Sequence, residues 1–265
     1  MIWAVQPERA VITRNLRSAM SAYARSTGQG ASLEMGAAGA YSSGLDYAVF
    51  NATVLSEAVP TAELATSLGR AEAFYRRRGV KWSCWLDEAM VESPAGIDVA
   101  RLLESLGLRW LAEHEGMIAD TIKPDRRGLP PIDARPVSNA ASRADFVRVC
   151  SQVFLLPDLT ARDIYGSPEF WVDQMRGWVG YDGNQPVCIA VTAVAGDSIG
   201  LYSVATMPSH RRRGFGESIT RHALSRAAAD SGLERSILQS TPAGRSLYRR
   251  MGYQSRTRIS VWARQ

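Results

Sequence analysis

Lysine is almost missing from this chain: only Lys81 and Lys123 occur among its 265 residues, so arginine carries nearly all the positive charge. Alanine is abundant as well, and the imbalance reads as compositional bias as much as function. Cysteine is scarce too. Cys84, Cys150 and Cys188 are far apart and odd in number, which excludes a disulfide framework or a cysteine-built zinc site and fits a reducing cytoplasm. The three histidines, His114, His210 and His222, lack the spacing of metal ligands, so no metal is expected. No apolar run is long enough to cross a bilayer, and no membrane association is expected. Residues 1–9 hold no apolar stretch of the kind a secretory leader needs.

What is present is ordinary for a globular protein: 46% hydrophobic and 22% charged residues, over a length that fits one large domain or two small ones. The net charge of +5 is unevenly placed. Residues 1–128 carry 14 basic and 15 acidic groups, and residues 129–265 carry 17 and 11. The second half therefore holds the excess, which suits an anionic ligand there.

The stretch KPDRRGLPPIDARP, residues 123–136, breaks regular structure with four prolines and a glycine and predicts a linker. It separates a first half, residues 1–128, from a second, residues 129–265. In the first half the spacing predicts helices over 7–25, 61–78 and 97–106, with Gly79 and Gly107 as stops, and strands over 45–55, 80–86 and 108–122. Gly28–Gly44 reads as loop with at most one edge strand. In the second half, a strand near Ala134 precedes helices over 142–154 and 168–175, with an irregular segment around Pro157. Strands over 178–181, 187–195 and 199–206, a helix over 217–230, a strand over 233–239, a helix over 242–251 and a strand over 256–263 complete the pattern. The alternation predicts an α/β fold around a mixed sheet. The halves echo each other when Gly79 is paired with Gly232 and Gly107 with Gly252.

The segment MPSHRRRGFGES, residues 207–218, leaves a strand and enters a helix. Gly214 and Gly216 permit a close backbone approach, successive N–H groups can converge on an anion, and the helix start adds its unpaired donors. Arginine forks suit phosphate oxygens. The lysine of a nucleotide P-loop is missing and the glycine spacing is not that of a dinucleotide fold. On these residues alone, a phosphate cradle and an exposed basic loop are both open.

Arg211-x-x-Gly214-x-Gly216 resembles the R/Q-x-x-G-x-G/A motif of the GNAT superfamily of acyl-CoA-dependent N-acetyltransferases. VATMP before it looks like that family's strand and proline, and STPAGRSLYRRMGY after it is similar to the family's last conserved segment. The resemblance is strong over about 187–262 and weaker back to 133. The first half, with VFNATVL and LGLRWLAEHEGMIADTI, resembles the degenerate leading half of tandem GNAT-like proteins. The implied fold is a GNAT-like mixed sheet flanked by helices, in two tandem halves.

The resemblance further implies acetyl-CoA as co-substrate. Backbone N–H groups from Arg212 to Gly216 would hold its pyrophosphate, with Arg211, Arg212 and Arg213 neutralising charge and Gly214, Phe215, Gly216 and Glu217 shaping the loop. Val204, Ala205 and Thr206 would bind the pantetheine arm through their backbone. Thr241, which also reads as a helix N-cap before Pro242, stands where many members have a residue near CoA. Tyr248 matches the tyrosine that protonates the departing thiolate, although a packed helix tyrosine would look the same. The strand IGLYSVATMP lacks the family's frequent glutamate, so no general base is assigned.

For the acceptor, Asp158, Trp171, Asp173, Trp178 and Tyr202 are candidates to hold a cationic amine beside apolar walls. Tryptophans in the core and aspartates at caps would explain the same residues. The first half has SEAVPTAEL at the cradle position and Leu103 at the place of Tyr248, so one active site is expected. The reading is transfer of acetyl from acetyl-CoA to a primary amine of a small molecule or peptide. Its rivals are an acyl-CoA-binding sensor or scaffold without turnover and, ranked last, a nucleic-acid binder using the arginine cluster. Few aromatics interleave with those arginines, so no nucleic-acid partner is expected. No oligomeric state follows from the sequence.

Overall fold

The computed structural model describes residues 7–92, 98–172 and 174–264. They fall into two compact units. One comprises the residues through Met117, Gln239–Ala243 and the segment from Ser255. The other comprises Ile118–Leu238 and Gly244–Gln254.

In the first unit, helix α1 (Pro7–Arg25) turns Val11, Ile12, Leu16, Ala19, Met20 and Tyr23 inward, the spacing of a one-sided apolar face. Strands β1 (Ala31–Met35) and β2 (Ala38–Ser42) form a hairpin in the stretch expected to be loop. Its alanines, serines and glycines have little intrinsic strand preference. Gly36, at φ +71°, makes the turn, and β2 is buried throughout. β3 (Asn51–Leu55) leads through a short β4 (Val59–Pro60) into α2 (Thr61–Arg78), which Gly79 ends at φ +67°. β5 (Ser83–Leu86) then lies parallel to β3. β6 (Val91–Glu92), α3 (Val99–Ser105) and β7 (Leu108–Ala119) follow. Tyr75 and Trp82, both fully buried, stack with centroids 5.0 Å apart at the centre of this core.

The second unit begins its sheet with β8 (Asp133–Pro136). α4 (Ala140–Phe154) starts at a reciprocal cap between Asn139 and Ser142. α5 (Asp158–Tyr165) occupies the segment expected to be irregular, with Pro157 as its cap. The helix expected over 168–175 is a single turn, Pro168–Trp171. β9 (Met175–Asp182), β10 (Gln185–Ala195), β11 (Ser198–Thr206), α6 (Phe215–Ser231), β12 (Ser236–Ser240) and α7 (Arg245–Met251) complete the unit. The strand order is β12-β11-β10-β9-β8, parallel between β11 and β12 and antiparallel elsewhere.

The last strand, β13 (Gln254–Arg264), pairs antiparallel with β5 in the first unit, although the sequence places it in the second half. The expected repeat has a structural counterpart. Strand, helix, glycine and parallel strand follow one another in β3-α2-Gly79-β5 and in β11-α6-Gly232-β12, and both glycines are left-handed. Residues 123–130 do not hang between units as a linker. They lie against α6 and α7 inside the second unit: Lys123 N donates to Met251 O (2.9 Å) and Ser218 Oγ to Pro130 O (3.0 Å).

Candidate active site

The site grows from an irregularity in β11. Ile189 of β10 pairs with Ala205 and Val191 with Tyr202, so Ser203 and Val204 stand opposite a single residue. This is a β-bulge, and Ser203 sits at φ +48°. Parallel pairing of β11 with β12 ends at Leu201 and Leu238. From Ser203 to Thr206, therefore, β11 has no β12 partner in the ladder among the described residues, and its edge can take an extended ligand. The bulge also aims Ser203 at Tyr165, whose hydroxyl lies 3.3 Å from Ser203 Oγ while its ring is buried.

Beyond Thr206 the chain makes one tight turn, Pro208–His210, and enters α6. Arg212 at φ +66° and Gly214 at φ +93° bracket Arg213, and this alternation turns successive N–H groups to one side. Among the described residues, no acceptor receives the N–H of Arg212, Gly214, Phe215 or Gly216. The carbonyl of Gly214 accepts from Glu217 N and Ser218 N, each at 3.0 Å, which starts the helix. The glycines are there for room. A Cβ on Gly214 would meet Pro130 Cδ at 2.7 Å, and one on Gly216 would meet Thr206 Oγ1 at 3.0 Å. The residues thus fit a pyrophosphate: unpartnered donors, glycine clearance and the positive end of a helix macrodipole converge.

The three loop arginines, all expected to neutralise the ligand, are exposed but differ in their surroundings. Arg211 folds back, with Nε 3.2 Å from Thr206 O. Arg213 lies over the Phe215 ring at 5.1 Å and 3.4 Å from Asp182. His210 supports the same corner, with Nε2 3.5 Å from Asp182 and its ring against the edge of Phe215. Arg212 alone is exposed with no partner among the described residues. Phe215 is buried, so it can contribute only its backbone.

Glu217 sets a carboxylate in the first turn of α6, beside an anion site, and its surroundings resolve the conflict. It is buried and salt-bridged to Arg127, to Arg221 at 2.9 Å and to Arg250 at 3.7 Å. None of these three arginines was a candidate from the sequence. They come from the supposed linker, the middle of α6 and α7, and only the fold collects them.

Tyr248 lies on α7. Because α6 and α7 follow the parallel strands β11 and β12, their N-terminal ends point to the same edge of the sheet. The Tyr248 ring is buried edge-to-face on Tyr253, at 5.8 Å. Its hydroxyl takes part in no hydrogen bond among the described residues. Burial pushes its pKa well above the ordinary phenol value, so it keeps its proton at neutral pH.

Thr241 does not cap α7. The helix starts four residues later with Gly244 as its N-cap, and Thr241 is exposed in the preceding turn. The two tryptophans among the acceptor candidates do not come together either. Trp171 donates to Tyr165 O (2.8 Å), packs on Phe146 and covers Gly177, whereas Trp178, next along β9, packs on His222 of α6. Neighbouring strand residues face opposite ways, so the two tryptophans lie on opposite faces of the sheet. Asp158 is exposed at the start of α5, Tyr202 is half-buried on β11, and Asp173 lies outside the described residues.

In the first unit, the loop corresponding to the cradle is covered by α1. Thr13 Oγ1 donates to Ser56 O (3.3 Å) and Arg17 to Ser56 Oγ (2.8 Å). None of the residues from Ser56 to Pro60 has a positive φ, and Leu103 is buried where the second unit has Tyr248. Among the described residues there is no helix long and apolar enough to cross a membrane and no cluster of side chains able to hold a metal.

Residues 173–255 match the family model of the acetyltransferase (GNAT) domain. A GCN5-related N-acetyltransferase from Kribbella flavida is similar in structure, with a TM-score of 0.71 at 17% identity over 98% of this chain and 96% of that one. A functionally unknown conserved protein from Staphylococcus epidermidis gives 0.61 at 15% identity, over 88% and 93%. A GCN5-related N-acetyltransferase from Sphaerobacter thermophilus gives 0.54 at 16% identity, over 86% and 76%. No curated protein sequence matches the chain. The matched segment contains β11, the glycine loop and α7, and over it the chain is similar to the acetyltransferase (GNAT) domain.

Proposed function

We propose that the second unit transfers an acetyl group from acetyl-CoA directly to a primary amine. The observation that carries this is the row of N–H groups at residues 212 and 214–216 with no acceptor among the described residues, continuous with the edge of β11 from Ser203 to Thr206. The cradle would hold the pyrophosphate and the strand edge would orient the pantetheine arm. Acetyl-CoA supplies the thioester. The amine nitrogen forms the amide bond as the carbon–sulfur bond breaks, Tyr248 gives its phenolic proton to the sulfur, and the amine releases a proton to water. Rate would come from holding both substrates together and polarising the carbonyl.

Direct transfer is favoured by the cysteines. All three are buried, and burial lifts each thiol to about 12, so none offers a nucleophile for an acetyl-enzyme. The acceptor, a small molecule or a peptide, would approach from the α4–α5 side. There Tyr165 meets the β11 bulge and exposed Leu155 and Leu159 flank Asp158. A cytoplasmic site of action belongs to the same proposal.

One observation favours a second reading. β11 carries no carboxylate between Ser198 and Thr206, which is compatible with a sensor that binds acetyl-CoA without turnover. Steady-state kinetics with both substrates varied tests the proposal. Direct transfer gives intersecting reciprocal plots. Parallel plots would contradict it, and binding without turnover would favour the sensor.

A further inference from the structure

We infer that Arg127 and Arg250 form a receptor for a phosphate monoester beside the cradle, and that this receptor selects the 3′-phosphate of acetyl-CoA. The inference rests on the acetyl-CoA reading above. Its starting point is a charge imbalance: three guanidiniums converge on the single carboxylate of Glu217, which is only 3% exposed. The other nearby acid is Asp125. Its pKa is lowered, first by the N–H of Arg127 and also by the Arg221 and Arg127 charges. Its two oxygens are taken by the N–H groups of Arg127 and Leu129, each at 3.0 Å. Even with Asp125 counted, the cluster keeps a net positive charge.

The three arginines are not equivalent. Arg221 is spent: Nε and Nη2 hold Glu217 and Nη1 donates to Lys123 O at 2.6 Å. Arg127 and Arg250 are half-exposed, at 50% and 47%. Among the described residues, the Arg127 side chain contacts Glu217, and that of Arg250 has the Glu217 pair and a bond to Ser246 O at 3.0 Å. A guanidinium has five N–H donors, so both retain several that face solvent. Glu217 fixes their direction, and pre-placed forks of this kind suit phosphate oxygens.

Their location supplies the ligand. Glu217 directly follows Gly216 of the cradle, and Arg127 is three residues before Pro130, which lies against Gly214. Acetyl-CoA differs from most anions in carrying a second phosphate group, one ribose away from its pyrophosphate. An excess of oriented cations one helical step beyond the pyrophosphate donors matches that arrangement.

The test compares acetyl-CoA with acetyl-3′-dephospho-CoA by titration calorimetry. The wild type should bind acetyl-CoA roughly tenfold to a hundredfold more tightly, as charge-assisted hydrogen bonds imply. In the Arg127→Gln/Arg250→Gln double variant, that ratio should collapse towards one. A wild-type ratio near one overturns the inference without any variant, and leaves the cradle reading standing as long as both molecules bind. A folded double variant that keeps the wild-type ratio also overturns it and makes the two arginines purely structural. If neither molecule binds the wild type, the cradle reading itself fails, and the inference with it.

Discussion

Replacing Gly214 with valine puts the cradle to a quantitative test. Gly214 sits at φ +93°, and a Cβ there would lie 2.7 Å from Pro130 Cδ and 3.2 Å from Leu129 Cδ2. Left-handed backbone costs a side-chain-bearing residue roughly 1–2 kcal/mol, and relieving the overlap adds roughly 1–3 kcal/mol. The sum is smaller than a typical folding stability of about 5–15 kcal/mol, so the fold should survive while the loop relaxes away from Pro130. Relaxation misaligns the N–H groups of residues 212 and 214–216. Each hydrogen bond to a charged group is worth about 1.5–3 kcal/mol. Losing two should weaken acetyl-CoA binding by on the order of 10²–10⁴-fold. Titration calorimetry, with a thermal melt to confirm folding, measures this. Gly196→Val is the control, because Gly196 has a similar backbone, φ +59°, in a hairpin turn with open space around it. A folded Gly214→Val protein with unchanged affinity would refute the cradle.

Tyr248→Phe should lower kcat by about 10²-fold, the lower end of the range for a general acid because a thiolate leaves readily, while acetyl-CoA affinity changes little. Burial raises the phenol pKa, so the alkaline loss of wild-type kcat should lie above pH ~10 and be missing from the residual rate of the mutant. Calorimetry should give one acetyl-CoA per chain, because the first unit's loop is covered by Thr13 and Arg17; two equivalent sites would contradict that account. The three thiols should resist a disulfide reagent until the chain unfolds, since all are buried. Their native pKa of about 12 exceeds the ordinary 9.0. The native state therefore keeps protons that the unfolded chain releases, and stability should fall as the pH rises from about 9 towards 12. A denaturant titration across that window checks the sign.

Some of this was legible in the sequence for a physical reason. The strand–loop–helix turn at residues 207–218 was, because Gly214 and Gly216 lie on the loop that they shape and their spacing is local. Helices α1 and α2 were, because one face of each is apolar and Gly79 ends the second. The hairpin of β1 and β2 was not, since residues such as Ala38, Gly39 and Ala40 have no local preference for strand and owe their conformation to burial. α5 was hidden by Pro157, which breaks a helix from within but precedes this one. The Glu217 cluster could not be read at all. Its arginines are drawn from residues 127, 221 and 250, and the proline-rich stretch holding Arg127 looked like a spacer. The two tryptophan candidates part for a different reason: a strand alternates its faces, and Trp178 points away from the side where Trp171 lies.

The most direct test of acetyl transfer is to follow the label. Incubation with acetyl-CoA labelled in its acetyl group and a pool of primary amines, read by mass spectrometry, should yield a labelled N-acetyl amide and an equal amount of free CoA. The Gly214→Val protein should produce neither at the same acetyl-CoA concentration. Saturable acetyl-CoA binding by the wild type, with no labelled amide and no CoA released across the whole pool, would contradict the account.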